Sequence, residues 1–546
     1  MIVTETDKRP DVSSVSESGK VIVLWRMLAV LGVLLLVGFL VAPHFFQASE
    51  DAIILFQYSA NLAHTGVISF IPHGPRAEGA TDFLWMVFLA VGHWLGIPSY
   101  GLAVASSAVC VVLLALVLVL VARQRVNAWN IFAVTGLLLL APQAFAAEAG
   151  FSVFVFALFL GLMAAAAYLE SYGWAVVAGL LLCLVRPDGV VFALPLLGVC
   201  LFRGRGVGSR VWKLIVGFIL PGLAYFVWRW HYFGHLLPLP FYVKSDTPRI
   251  AGVLVLTSLR GLAPPLLAAG AIAWIALRKG LLVRRNVLLW GSLIVPSSLF
   301  YMAMRLDQNY ANRFFFYPLV VMAVLLAGNF ESFRLRAWKV MSASFCVWLV
   351  LLGYFWMNWA VIYTLEYPQP RVVAVAQELE QLPGRGSMIV TESGAIPFYS
   401  QWVAYDPWGL NTAEFATRLI QPADVAGIGP DLVIVHQDLG ALPCKVTEGD
   451  LVPFRKRSWE HMTQNVIAGT DTALYTQWLL PEYNDYYRSH PHRWNGRLRP
   501  GQYDYQCWFI RDASPQSAAV VDILRRHGGV SAAEYMKEPY RLPATE

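Results

Sequence analysis

The sequence predicts a polytopic α-helical membrane protein that ends in a soluble α/β domain. Of its 546 residues, 57% are hydrophobic and only 14% are charged, whereas soluble globular domains carry about 25% charged residues. The apolar runs Val21–Ala42, Ala103–Ala122 and Ala337–Val361 approach or exceed the ~20 residues that span a bilayer. From residue 363 onward the composition becomes that of a soluble domain.

The first apolar run is expected to be a retained anchor. It follows a polar N-terminal stretch that contains Glu5, Asp7 and Glu17, and no small-x-small cleavage pattern follows it. We therefore expect a cytoplasmic tail at 1–21, a transmembrane domain at 22–362 with its first outer loop at 43–98, and an outer-face α/β domain at 363–546.

Basic clusters predict the orientation, because lysines and arginines concentrate on the cytoplasmic side. The clusters are Lys20/Arg26, Arg123/Arg125, Arg203–Lys213, Arg278–Arg285 and Arg334–Lys339. All of them fall on one side if the chain crosses about eleven times and ends on the outer side. The spans required lie near 22–42, 99–122, 129–146, 150–169, 174–185, 190–202, 212–231, 252–277, 286–303, 314–329 and 338–361.

The apolar segment Phe83–Leu95 must not cross if this topology is to hold. It is short, and Asp82 and Gly96-Ile97-Pro98 flank it, which favours a juxtamembrane helix at the outer interface. If it crosses, every later loop changes side. The short spans at 174–185 and 190–202 should meet around Arg186-Pro187-Asp188-Gly189 in a protected pocket.

Function is expected on the outer face, where acids, histidines, aromatics and prolines concentrate in the predicted loops. The sequence contains no zinc pattern, Walker loop, dinucleotide fingerprint or Gly-x-Ser-x-Gly elbow. No basic patch interleaved with aromatics indicates nucleic-acid binding.

The C-terminal region combines two predicted strands, Ser387–Thr391 and Asp431–His436, with helical segments, which predicts a small α/β domain. The helical segments are Arg371–Leu382, Glu414–Ile420 and Ala518–Arg526. The aromatic stretch Tyr475–Trp508 is typical either of a sugar-binding surface or of packing against lipid headgroups. Cys444 and Cys507 could form a disulfide in an oxidising compartment, and the sequence leaves this open.

Glu50 and Asp51 follow the first span directly. Adjacent acids at a membrane edge cost desolvation energy unless they have a partner or a role. A merely solvated pair is the alternative. A functional site is favoured because the same loop continues with a dense set of polar residues, namely Gln57, Tyr58, Asn61, His64, His73, Arg76, Glu78 and Asp82.

Three stretches of this loop carry a recognisable pattern, namely Glu50–Ile53, Tyr58–Ala63 and Glu78–Trp85. They resemble the first outer loop of the GT-C glycosyltransferases, and most closely the arabinofuranosyltransferases related to the mycobacterial enzyme that caps arabinan with terminal β-linked arabinose. Later stretches similar to that group are Ala147–Gly150, Arg186–Gly189, Trp228–Pro238, Tyr242–Lys244 and Thr391–Tyr399. The chain departs at Ala146–Ala149, where a Gly-Leu-Glu-Thr run is expected, so the role of Glu148 is less defined.

The resemblance implies an inverting sugar transfer from a polyprenyl-phosphate donor, on the outer face of a bacterial plasma (inner) membrane. An acceptor hydroxyl is a poor nucleophile, so a carboxylate must take its proton. Asp51 is the candidate general base, and Glu50 is its orienting group or the second candidate. A nearby carboxylate also stabilises an oxocarbenium-like transition state.

The resemblance favours D-arabinofuranose as the sugar. Mannose, glucose, galactose and aminoarabinose stay open, as do polysaccharide, lipopolysaccharide and glycoprotein acceptors.

The lipid phosphate leaves as an anion and needs cations more than an acid. The candidate cations are Lys244, Arg186, Arg305 and Arg313, whose alternative role is to snorkel from span ends. Four acids could shape the sugar site or bind a divalent cation together with Asp51, namely Glu78, Asp82, Glu148 and Asp188. His235 could bind the acceptor or the donor phosphate, or simply pack in an aromatic loop.

Three other functions compete with a glycosyltransferase. A transporter or flippase for lipid-linked sugars should carry mid-span charges and repeats of broken helices, and no clear repeat is visible. A non-catalytic scaffold would not need so many charges in its outer loops. A polymerase or ligase of O-antigen type usually places its chemistry in a large late outer loop.

Overall fold

The computed structural model describes residues 12–203, 206–245, 284–304, 309–330, 370–437, 458–482 and 504–537, together with Leu306, Cys444 and scattered positions between 262 and 280. The described chain is mostly helical and ends in a small sheet domain.

The membrane part is built from helices of unequal length. Those of its first half are α1 Val12–Val41, α2 Glu50–Thr65, α3 Phe83–Trp94, α4 Ser99–Val121, α5 Ala128–Leu139, α6 Gln143–Glu148, α7 Val153–Tyr168, α8 Tyr172–Val185 and α9 Val190–Leu201. They are followed by α10 Val207–Leu214, a π-turn at Ile215–Ile219, α11 Leu220–Phe233, α12 Leu239–Ser245, α13 Arg284–Ala303 and α14 Tyr317–Gly328. Single 3-10 turns occur at Ala42–His44, Pro187–Gly189 and Tyr310–Phe315.

Five helical segments within the described residues are long and apolar enough to cross a membrane. They are Ile22–His44, Ser99–Val121, Val207–Phe233, Asn286–Ala303 and Tyr310–Gly328. Shorter apolar helices include α3, α5, α7, α8 and α9. These findings support a membrane-embedded protein, and the count of about eleven crossings stays a prediction. The expected span 338–361 lies outside the described residues, as does most of 252–277.

The expected span at 129–146 is broken in the structure. Helix α5 ends at Leu139, and α6 begins at Gln143, directly after Pro142. Proline lacks the N–H that a helix interior needs, and its ring clashes with the preceding turn. The break sets α6, which ends at Glu148, beside the 3-10 turn that carries Arg313.

Helices α1 and α5 cross at a pair of glycines. A Cβ atom added to Gly32 would lie 1.9 Å from the carbonyl oxygen of Phe132, and one added to Gly136 would lie 2.8 Å from the Cα of Gly32. Small residues let membrane helices approach closely and gain van der Waals contact. The anchor helix is therefore part of the helical bundle.

The C-terminal domain contains a six-stranded mixed sheet in the order β2-β1-β3-β5-β4-β6. The strands are β1 Ser387–Val390, β2 Val403–Tyr405, β3 Leu432–Gln437, β4 Tyr475–Glu482, β5 Asp504–Arg511 and β6 Val530–Ser531. Strand β1 pairs in parallel with β2 and β3, whereas β5 is antiparallel to both β3 and β4. Its helices are α15 Pro370–Glu380, α16 Ala395–Ser400, α17 Ala413–Ala416, α18 Pro422–Ile428, α19 Trp459–Ala468, α20 Ser517–Arg526 and α21 Ala532–Lys537.

One hydrophobic cluster joins the sheet domain to the segment 43–98. It contains Tyr58, Phe70 and Met86 from the loop region together with Trp402 and Trp508 from the sheet domain. Residues 50–86 and the sheet domain therefore share one hydrophobic core.

The aromatic stretch Tyr475–Trp508 contributes to the core of the sheet where it is described. Trp508 is fully buried on β5, and Trp478 and Tyr475 on β4 are 3% and 8% exposed. These three rings cannot stack on a sugar, because they are already covered. Residues 483–503 of the same stretch lie outside the described residues.

Cys444 and Cys507 are joined by a disulfide, with their Cα atoms 5.7 Å apart. Because the bridge closes a loop between residues 63 positions apart, we expect its loss to lower the free energy of unfolding by about 2–4 kcal/mol. Thermal unfolding of the purified full-length protein should shift to lower temperature in dithiothreitol. The double variant Cys444→Ser/Cys507→Ser should be insensitive to the reductant, and equal sensitivity of both proteins would contradict the bridge.

Candidate functional site

The site is organised around the first turn of α2. Glu50 and Asp51 are its first two residues, a position where the helix dipole stabilises acidic side chains. The backbone N–H of Ser49, just before them, donates a 3.0 Å hydrogen bond to the carbonyl of Ala149. The start of α2 is thereby attached to the segment between α6 and α7.

Asp51 pairs with Arg313 across a distance of 3.3 Å between carboxylate and guanidinium. The Asp51 side chain is 36% exposed and that of Arg313 is 12% exposed. The Arg313 guanidinium also lies over the ring of Phe151, 3.8 Å from its centroid. Asp51 is thus an accessible carboxylate beside a largely buried cation.

Arg313 stands on an unusual turn. The two residues before it, Ala311 and Asn312, have φ values of 46° and 53°. Residues other than glycine rarely adopt this left-handed conformation, and it costs energy unless the surroundings hold it in place. The side chain of Gln143 on α6 donates a 3.4 Å hydrogen bond to the Asn312 carbonyl, so the break at Pro142 supports this turn.

Arg186 lies at the junction of α8 and α9, as the sequence predicts. Its guanidinium binds both carboxylate oxygens of Asp188, at 3.1 Å and 2.5 Å, and the Tyr301 hydroxyl donates to Asp188 as well. The ring of Phe314 lies 4.6 Å from Arg186 and 5.1 Å from Arg313. One aromatic ring therefore contacts both cations.

Asp82 belongs to the same electrostatic cluster. It precedes α3 and accepts a 2.5 Å hydrogen bond from the Ser152 hydroxyl. Burial raises the pKa of Asp82, while the nearby Arg186 and the Ser152 hydrogen bond act in the opposite direction. The arginine cluster, defined as Asp51, Asp82, Arg186, Asp188 and Arg313, thus contains three carboxylates and two guanidinium groups.

A small cavity extends beneath the two guanidinium groups. Its walls include Phe156, Leu160, Phe314 and Tyr317, together with Arg186 and Arg313. Two guanidinium groups at one place suit a small anionic group, because arginine makes charge-assisted hydrogen bonds to phosphate and carboxylate oxygens.

The Glu50 carboxylate binds a different part of the chain from the Asp51 carboxylate. Its Oε1 accepts hydrogen bonds from the backbone N–H groups of Gly394, at 2.7 Å, and Ala395, at 2.9 Å. Both donors lie where β1 leads into α16. This geometry fits a tether between α2 and the sheet domain. The catalytic role predicted for Glu50 stays a prediction.

Glu148 is buried at the end of α6, where it is 5% exposed. Its Oε1 accepts a 2.9 Å hydrogen bond from the Tyr100 hydroxyl on α4. This contact ties α6 to α4 behind the turn of Arg313, so the geometry fits a positioning role.

Glu78 is placed in a second polar cluster, with Arg229. The two side chains form a buried ion pair, with exposures of 8% and 5% and a shortest distance of 2.6 Å. Arg229 also donates to the Leu236 carbonyl, and the Leu239 N–H donates to the Glu78 carbonyl. Glu78 therefore organises the segment that follows α11.

His235 and Lys244 lie on that segment. The ring of His235 contacts that of Tyr242, with centroids 6.1 Å apart. Lys244 is in the last turn of α12, which packs against α17 of the sheet domain. Arg305 lies outside the described residues.

Within the described chain, no group of three or more His, Cys, Asp or Glu side chains is arranged to hold a metal ion. The arginine cluster has three acids, but Arg186 and Arg313 already pair with two of them.

Sequence reasoning missed several partners that the structure supplies. Arg229 stands in the stretch Trp228–Pro238, and an ionisable residue near the end of an apolar helix is a signal that could have identified it. Ser152, Tyr100 and Tyr301 carry no comparable signal, because hydroxyl groups are common in membrane helices.

The comparison with known families finds one match. Residues 361–488 match the model of a domain of unknown function (DUF8728). The matched range contains strands β1 to β4 and covers only the C-terminal part of the chain. No curated protein matches the sequence.

Proposed function

We propose that this protein is a membrane glycosyltransferase that moves a sugar, D-arabinofuranose by preference, from a polyprenyl-phosphate donor to a glycan or glycoprotein on the outer face. The observation that carries the proposal is the accessible Asp51 carboxylate beside Arg313, whose guanidinium group also lines a small cavity with cationic and apolar walls. The resemblance described above supports the class of reaction, and the acidic first turn of α2 supports the position of the base.

In the proposed reaction Asp51 takes the proton of the acceptor hydroxyl as that oxygen attacks the anomeric carbon. The bond between the anomeric carbon and the phosphate oxygen breaks, and the lipid phosphate leaves with the electron pair. Arg313 holds Asp51 through their ion pair. A donor phosphate competes for that guanidinium, since arginine binds phosphate oxygens in a bidentate manner. Donor binding would thereby release the Asp51 carboxylate for the acceptor.

A donor panel tests this function. Purified full-length protein is incubated with polyprenyl-phosphate arabinofuranose, mannose, glucose, galactose or aminoarabinose and with oligosaccharide acceptors, and products are identified by mass spectrometry. We expect transfer from one of these donors, with inversion at the anomeric carbon. A folded protein that transfers none of the sugars, but moves a labelled lipid-linked sugar across a liposome membrane, would replace the enzyme with a transporter.

We expect Arg313→Lys to raise the donor KM by about tenfold or more, because lysine keeps the charge but loses the bidentate geometry. The acceptor KM should change much less. Steady-state kinetics with varied donor measures the effect. The control is Arg418→Lys, which alters an exposed ion pair in the sheet domain. An unchanged donor KM in Arg313→Lys would remove Arg313 from the phosphate site.

A further inference from the structure

The parallel half of the sheet directs its carboxyl edge toward the first turn of α2. Strands β1, β2 and β3 run in the same direction, so their carboxyl ends lie at one edge. In open α/β sheets this edge is where ligands bind, because the loops that follow the strands meet there.

Two points of this edge are occupied by the first outer loop. At the end of β1, the Glu50 carboxylate accepts the N–H groups of Gly394 and Ala395. At the loop after β2, Gly79 approaches so closely that an added Cβ would lie 2.2 Å from the side-chain oxygen of Asn411. The first of these contacts places the end of β1 next to Glu50, the residue that precedes Asp51.

A third point of the edge carries a polar pair that the proposed reaction does not use. The Nδ1 atom of His436, at the end of β3, lies 2.9 Å from the Glu392 carboxylate, just beyond β1. The Thr391 hydroxyl accepts a 2.8 Å hydrogen bond from the His436 backbone N–H, which fixes the two strand ends together. The side chains of His436 and Glu392 are 18% and 34% exposed, so a ligand can reach them.

The pair is linked to the neighbourhood of Asp51 through the loop that the Glu50 carboxylate binds. Glu392 precedes Gly394 by two residues, so their Cα atoms lie within ~7 Å. The Gly394 N–H is in turn 2.7 Å from the carboxylate of Glu50, the neighbour of Asp51.

We propose that Glu392 and His436 form the acceptor subsite, and that this subsite binds a neutral, polyhydroxylated glycan. The assignment rests on the proposed glycosyl transfer. A carboxylate accepts hydrogen bonds from vicinal hydroxyl groups, and hydrogen bonds to a charged group are the stronger kind. The His436 ring orients that carboxylate. The negative charge of Glu392 would repel an anionic glycan, so a neutral one is favoured.

Direct binding without donor tests the subsite. The probes are fluorescently labelled tetrasaccharides of arabinofuranose and of mannose, titrated into full-length protein in detergent and followed by fluorescence anisotropy. We expect the wild-type protein to bind one of the probes, and Glu392→Gln to raise its Kd by about tenfold. His436→Gln is the second variant and should raise the same Kd.

The sheet domain offers a matched control. Glu378 and His527 form a similar pair, 2.7 Å apart, between α15 and α20. Glu378→Gln should leave glycan binding unchanged. Thermal unfolding of each variant separates a local change from misfolding.

The results distinguish a failure of the proposed acceptor subsite from a failure of the proposed glycosyl transfer. Binding of neither probe by the wild-type protein, or equal binding by Glu392→Gln and His436→Gln, overturns the subsite. If the wild-type protein binds a probe in a Glu392-dependent manner but transfers no sugar from any donor, the proposed reaction fails and the glycan site stands. If transfer occurs, Glu392→Gln should raise the acceptor KM, and a fall in kcat alone would contradict the assignment.

Discussion

Replacing Asp51 with Asn is expected to lower the turnover of glycosyl transfer by about 10²–10⁴-fold, the usual contribution of a general base. Asn has almost the same shape as Asp and can still accept a hydrogen bond from Arg313, but it cannot take a proton from the acceptor hydroxyl. The expected loss is therefore in kcat, with little change in the donor KM. Single-turnover kinetics with a labelled lipid donor measures the chemical step directly.

Asp471→Asn is the control for this experiment. Asp471 is an exposed residue of the sheet domain that accepts a hydrogen bond from the Ala473 N–H, so its substitution should leave turnover unchanged. Comparable turnover in Asp51→Asn and the wild-type protein would remove Asp51 as the base. Asp82 and Glu148 would then be the next acids to test, because Asp82 belongs to the arginine cluster and Glu148 ends the helix that packs against the turn of Arg313.

The second large effect concerns Arg229. We expect Arg229→Met to lower the free energy of unfolding by about 3–5 kcal/mol, because it leaves the Glu78 carboxylate buried without its counter-charge. Burial already raises the pKa of Glu78, and Arg229 acts against that shift. Without Arg229, the pKa of Glu78 rises further.

The loss of stability in Arg229→Met should depend on pH in a definite direction. A carboxyl whose folded-state pKa is raised favours the folded state when it is protonated, and that advantage is lost as the pH rises through the raised pKa. The destabilisation of Arg229→Met should therefore be smaller at pH 5 than at pH 8. The double variant Glu78→Gln/Arg229→Met should recover most of the stability at pH 8. Equal destabilisation at the two pH values, or no recovery in the double variant, would contradict a structural role for the pair.

The sequence predicts much of the arginine cluster but not its pairings. The acidic start of α2 and the Arg186–Asp188 turn are visible as charges that interrupt apolar runs, and the structure brings them together with Arg313. The same reasoning grouped Glu78 with Asp51, whereas the structure pairs Glu78 with Arg229. The pattern of charges in the sequence predicts the side of the membrane on which a residue lies. Several possible partners on that side fit the pattern equally well.

The aromatic residues of the sheet domain show the same limit of prediction from sequence. The sequence shows Tyr475, Trp478 and Trp508 as large aromatic residues in a polar region. It does not show which face of a strand each ring occupies, because the residues between them do not follow one alternating pattern. Strand pairing places Trp478 opposite Trp508 in the β4–β5 register, and helix α20 covers this part of the sheet. Burial of these rings follows from the packing of elements that are distant in the chain.

The membrane character of the chain, the presence of a C-terminal α/β domain and the acidic start of α2 were determined by the sequence itself, because hydrophobicity and charge are properties of local segments. Only the tertiary structure decided which partner each charge has. Glu50 meets the Gly394 N–H 344 residues away, Arg313 meets Asp51 262 residues away, and Arg229 meets Glu78 151 residues away. Such contacts depend on how helices and strands pack, and packing joins residues that no local pattern relates.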